Sequence, residues 1–151
     1  MKKIFFILLL IITGLNYSQT KNLNYDSTLA KSLGADDYGM KSYVFVILKT
    51  GTYNPPEKEI RDSLFAGHMK NINRLVEENK LIVAGPFGKN DLQYRGLFIL
   101  DVKDLDEAQK LVVTDPAVKA KIFDVILIPW YGSAALPEYL KVADKIWKIN
   151  P

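Results

Sequence analysis

Apolar residues recur along this chain with two periods, and the places where one period gives way to the other mark out the elements of a fold. Residues 42–49 (SYVFVILK) are dense in β-branched and aromatic side chains and end at Thr50-Gly51, which predicts a first strand. Tyr53-Asn54-Pro55-Pro56 cannot continue it. Over 57–79 the apolar positions Ile60, Leu64, Phe65, Ile72, Leu75 and Val76 fall three and four residues apart, the spacing of a long helix. A short apolar strand over 81–84 closes at Gly85-Pro86, and Gly88-Lys89-Asn90-Asp91 supplies a turn. Residues 94–102 read as a third strand. Asp104 caps a second helix running to Val113, and Asp115-Pro116 restarts a helical turn to about Lys121. Residues 123–130 (FDVILIPW) are the fourth strand, and 136–149 carry an amphipathic pattern through Tyr139, Leu140, Ala143, Ile146 and Trp147.

The order β-α-β-β-α-β predicts an α+β domain of ferredoxin-like type, with helices on one face of a four-stranded antiparallel sheet and an extra C-terminal helix. The first and fourth strands are apolar almost without interruption, so both of their sides are expected to be buried. The simplest cover for the face without helices is an identical sheet, which predicts a homodimer.

The N-terminus follows a different logic. Lys2-Lys3 precede an unbroken apolar run over 4–12, after which Thr13, Gly14, Asn16 and Ser18 turn the chain polar. That is the pattern of a cleavable signal peptide, too short to span a bilayer as a helix. The expected organisation is a signal peptide over 1–18, a flexible extension over 19–41 with a loosely formed turn near Leu29–Leu33, the α+β domain over 42–132 and the terminal helix over 133–151. The mature chain is then exported, to a periplasm or beyond, with no stable membrane insertion.

Charge narrows the partners. The net charge is +3, and two of the lysines belong to the signal. The remainder is close to neutral and has no dense basic run, so nothing favours nucleic acid. The chain has no cysteine and one histidine, which removes disulfides, thiolate chemistry and a structural zinc site. No glycine-rich phosphate loop and no nucleophile elbow occurs, and no cofactor is expected.

His68 is the residue of chemical interest. At 100° per residue it falls inside the apolar stripe of the long helix and should face inward. A histidine so placed serves either as a core residue bonded to a carbonyl or as an acid/base group. Arg61 lies at nearly the same angle two turns earlier, as an anion holder or a snorkelling side chain. Asp115 is an N-cap by position, and its spacing alone does not link it to His68. Gly85-Pro86 reads as a strand stop or as backbone that approaches a ligand, and Trp130 as packing or as a substrate wall.

Taken in order, His68, the stretch Asn79-Lys80-Leu81-Ile82-Val83-Ala84-Gly85-Pro86, Gly96, Thr114-Asp115-Pro116 and Ile128-Pro129-Trp130 resemble the YciI-like (YCII-related) family over about residues 43–131. The resemblance implies a dimeric α/β barrel with a site built on a His–Asp pair, here His68 and Asp115, and with Gly85 and Pro86 lining the cleft. Characterised relatives include a dehydrochlorinase acting on a chlorinated hydroxyquinol, and sister families include muconolactone isomerases and cofactor-free monooxygenases. The chain departs from the family pattern in its export signal, in its C-terminal segment and at Phe65, where the family often carries an arginine; Arg61 is the available substitute.

Two functions follow. One is an enzyme in which His68 moves a proton on a small substrate, with Asp115 orienting the ring and Arg61, Gly85, Pro86 and Trp130 binding, in elimination, isomerisation or hydration. The other is a non-catalytic module that sequesters a small ligand. Haem binding through His68 is a remote third.

Overall fold

The computed structural model describes residues 22–149. The expected signal peptide, its cleavage point and the first residues of the extension lie outside the described residues. No helix among the described residues is long and apolar enough to cross a membrane.

The sheet contains β1 (Met40–Thr50), β2 (Leu81–Pro86), β3 (Tyr94–Leu100) and β4 (Phe123–Ser133) in the order β2-β3-β1-β4, with every neighbouring pair antiparallel. Helix α2 (Lys58–Glu77), α3 (Leu105–Val112) and the single turn α4 (Pro116–Lys119) cover one face. This is the ferredoxin-like arrangement expected from the element order. Alternation along each strand divides the apolar residues between two layers. Val44, Val46, Leu48, Phe98 and Leu100 pack beneath Leu75, Ala108, Val112, Ala117 and Val118 on the helix side. Tyr43, Ile82 and Ile99 form a second cluster on the other side.

Three differences from the sequence reading concern the ends of the chain. The stretch expected to be a flexible extension contains helix α1 (Ser27–Leu33). Asp26 caps it by accepting from the Thr28 and Leu29 amides, both at 2.9 Å, and Gly34 ends it at φ 70°. No residue of α1 is buried, so apolar periodicity shows it only as the loose turn near Leu29–Leu33. Asp36 then ties the segment down, accepting from the Tyr38 and Met40 amides and from the Tyr131 hydroxyl, and β1 starts at Met40.

At the other end, the expected helix over 136–149 is a 3-10 turn (Leu136–Tyr139) followed by one helical turn, α5 (Leu140–Ala143). The segment lies on the second face of the sheet instead of standing apart from it. Leu136 and Leu140 pack onto the second cluster, and the Tyr139 hydroxyl donates to the Ile82 carbonyl. Ile146 and Ile149 remain over 80 % exposed, because the chain past Ala143 has no apolar surface beneath it. The third difference follows from the second: this segment covers part of the face for which the sequence suggested an identical sheet, while Ile126 and Ile128 of β4 stay exposed.

Tyr43 sits under that segment, its hydroxyl donating to the Ser133 carbonyl at 2.9 Å. Burial pushes its pKa up to about 12, with a smaller contribution from the Asp101 charge. The folded value is above the unfolded one of about 10, so the stability Tyr43 contributes is complete below that lower value. It is lost as pH rises through the higher one, because the unfolded chain releases the proton first. Denaturation curves taken from neutral pH upward should fall in midpoint across this alkaline window, and Tyr43→Phe should flatten the fall.

Candidate active site

His68 lies in the middle of α2, on the side facing the sheet, and is 8 % exposed. Its ring is enclosed by Phe65, Phe98 and Phe123, lying nearly parallel to Phe98 at 6.0 Å between centroids and edge-on to the other two. An imidazole among three phenyl rings is held by shape and has few polar neighbours to choose from.

Its partner comes from the start of α4. Asp115 caps that turn, with Oδ1 accepting from the Ala117 amide at 2.9 Å. Oδ2 lies 2.5 Å from His68 Nδ1. The carboxylate is fully buried, and each oxygen faces a donor, as a buried acid requires. An ionised carboxylate only accepts, so Nδ1 carries the proton and the neutral ring presents its lone pair at Nε2. No described protein group bonds Nε2, and Nε2 is not sealed off. Among the described residues the enclosed side-chain polar atom without a partner is Asn71 Nδ2.

The two elements meet closely because of a glycine. A Cβ on Gly67 would lie 2.9 Å from Pro116 Cγ, so only glycine lets the proline that opens α4 rest against α2. The sequence reading passed over Gly67. Its signal was present, since glycine inside a helix costs about 1 kcal/mol relative to alanine and asks for a packing reason.

The residues assigned to substrate binding are scattered more widely. Arg61 stands at the start of α2 and donates to the Pro55 carbonyl at 3.5 Å, two turns before His68. Gly85 and Pro86 extend β2 and pair with Leu97 and Gly96, so they are strand residues where a stop was expected. They adjoin Ala84, which pairs with Phe98, the residue under the imidazole. Trp130 does not join this group. It lies seven residues from Phe123 on β4, roughly 23 Å of extended strand, and packs in the second cluster against Tyr43 at 5.5 Å. Odd spacing along a strand puts the two rings on opposite faces of the sheet.

Two surface cavities of about 360 and 430 Å³ share Ser42 and Lys103 and lie toward the Trp130 end of the sheet, away from His68. Among the described residues no group of three or more His, Asp or Glu could hold a metal ion.

A solved structure similar to this chain is 5-chloro-2-hydroxyhydroquinone dehydrochlorinase from Burkholderia phenoliruptrix AC1100, in complex with 2,5-dihydroxybenzoquinone. It is 26 % identical, covers 58 % of this chain and 92 % of its own, and gives a TM-score of 0.42. None of the curated proteins matches the chain. The profile of the YCII-related domain matches residues 44–131, more than half of the sequence and all of the sheet from Val44 to Tyr131. The chain belongs to the YCII-related domain family.

Proposed function

We propose that this chain is an exported small-molecule enzyme in which His68 moves a proton and Asp115 holds the ring that moves it. The supporting observation is the buried 2.5 Å contact between Nδ1 and a carboxylate that has no access to water, combined with an Nε2 that has no bonding partner among the described residues. Asp115 fixes the tautomer and stabilises the imidazolium when it forms, the role of the third residue in a catalytic triad.

Nε2 takes a proton from an acidic C–H or O–H of the substrate. In elimination the freed electron pair forms a new double bond and expels a leaving group such as chloride, and the imidazolium then gives its proton to water. In isomerisation the same proton returns to a different carbon. Either reaction needs only one group of matched basicity and the exclusion of bulk water. The three phenyl rings supply the second condition.

The chain contains a single histidine, so carbethoxylation of imidazole reports His68 alone. Diethyl pyrocarbonate should modify the folded protein at Nε2, and chloride release from 5-chloro-2-hydroxyhydroquinone, used as probe, should disappear with it and in His68→Ala. An imidazole that reacts only after unfolding would remove His68 from the chemistry. Binding of the probe without chloride release, unaffected by Asp115→Asn, would favour the sequestering module.

The same reading keeps the homodimer and the export signal. Exposed Ile126 and Ile128 are the surface a second copy would cover, and a monodisperse monomer in light scattering would count against it. An intact mass that still includes residues 1–18 in exported protein would reject cleavage.

A further inference from the structure

We propose that Asn71, Arg74 and Thr114 form a clamp that positions Asp115 against His68; this rests on the reading of that pair as the working site. Asn71 and Arg74 follow His68 by three and by six residues on α2, a row that winds about 60° round the helix axis at each step. Thr114 immediately precedes Asp115. The clamp therefore joins the same two segments as the His–Asp contact, one turn further along.

Its bonds converge. Arg74 Nη2 donates to Asn71 Oδ1 and to Thr114 Oγ1, each at 2.8 Å. Its Nη1 donates to both carboxylate oxygens of Glu78, at 2.8 and 2.9 Å, which aims the guanidinium. Thr114 Oγ1 has one proton to give, and Asn71 Oδ1 at 2.9 Å and the Leu111 carbonyl at 2.6 Å compete for it. With the guanidinium donating to Oδ1, the Asn71 amide cannot be turned round, since its NH₂ would then face the guanidinium NH₂.

The amide is an unfavourable choice for any other reason. Asn71 is 7 % exposed and its Nδ2 is enclosed without an acceptor, an arrangement that buried polar groups avoid. An apolar side chain would fill the same space without that penalty. What it would lack is the oxygen that collects Arg74 and Thr114.

The sole imidazole gives a direct readout. A proton on Nδ1 held by Asp115 should appear in the NMR spectrum of the folded chain as a far-downfield, slowly exchanging signal coupled to an imidazole nitrogen. Thr114→Val keeps the volume of an exposed side chain and deletes the hydroxyl. It should speed exchange of that proton roughly two- to tenfold, the equivalent of one hydrogen bond, and move the signal upfield, whereas Thr114→Ser should restore both. Arg74→Gln should act in the same direction, and unfolding midpoints taken alongside separate the effect from global loosening. If the unsubstituted chain shows no such proton, the His–Asp reading fails. If it does, and Thr114→Val and Arg74→Gln leave shift and exchange unchanged, the clamp is overturned while the pair stands.

Discussion

Asp115→Asn is expected to lower turnover by about 10²–10⁴-fold with little change in fold, the largest loss of activity predicted for a substitution that preserves shape. Asparagine occupies the same space, but one of the two donors now facing carboxylate oxygens, the Ala117 amide or His68 Nδ1, must face an NH₂ instead. The Ala117 amide can only donate, whereas an imidazole can change tautomer, so the amide oxygen stays with Ala117 and the NH₂ faces the ring. Nδ1 then accepts, the proton moves to Nε2, and Nε2 no longer presents a lone pair. Asp115→Ala goes further, because it leaves both donors without an acceptor inside the core. That should destabilise the domain by about 3 kcal/mol, read from the midpoint of chemical denaturation. A full rate in Asp115→Asn, with the midpoint retained, would mean that the contact is only structural.

The second large effect concerns Gly67. Gly67→Val should destabilise by about 1–3 kcal/mol through overpacking, because even a Cβ would meet Pro116 Cγ at 2.9 Å and a β-branched side chain cannot turn both methyls away from α4. The helices must separate, and the His68–Asp115 distance must open with them. A displacement of about 1 Å at such a site can cost on the order of 10²-fold in rate. Gly67→Ala is the informative companion. It removes the helix penalty of glycine, about 1 kcal/mol, while adding the first contact with the proline ring. Stability should change little, whereas turnover should already fall. Equal loss of both would show that the glycine serves packing alone.

The inward direction of His68 was legible because helical periodicity carries it: the residue sits within the stripe of Leu64, Ile72 and Leu75. The cap at Asp115 was legible from Asp-Pro alone. Their meeting was not. The two residues are 47 positions apart, and no local pattern encodes which turn of α4 lands on which turn of α2. Only the resemblance to a family suggested the pair. Trp130 shows the opposite failure. Its place on the fourth strand was legible, although β4 does not end there but runs on to Ser133, and the face it takes depends on the pairing of β4 with β1. That register sends Phe123 to the imidazole and Trp130 to the far layer.

The chain termini mark the limit of periodicity in another way. Helix α1 buries nothing, so it exists through its caps, Asp26 and Gly34, and the weak apolar pattern announces no more than a loose turn. Residues 136–149 have the amphipathic pattern of a helix, yet only Leu140–Ala143 is α-helical, after a 3-10 turn over Leu136–Tyr139. Once folded onto the sheet, Leu136, Tyr139 and Leu140 have a better use for their contacts there, and Ile146 to Ile149 have nothing to pack on.

By itself the sequence determined the order of elements, the antiparallel α+β architecture and the side of the long helix on which the one histidine lies, because these depend on spacing within a single element. The tertiary structure decided that a carboxylate meets that histidine, that a glycine allows the approach, and that the C-terminal segment shares the second face of the sheet. Those depend on close contact between segments remote in the chain, where a difference of one methyl group or one residue of register changes which atoms touch.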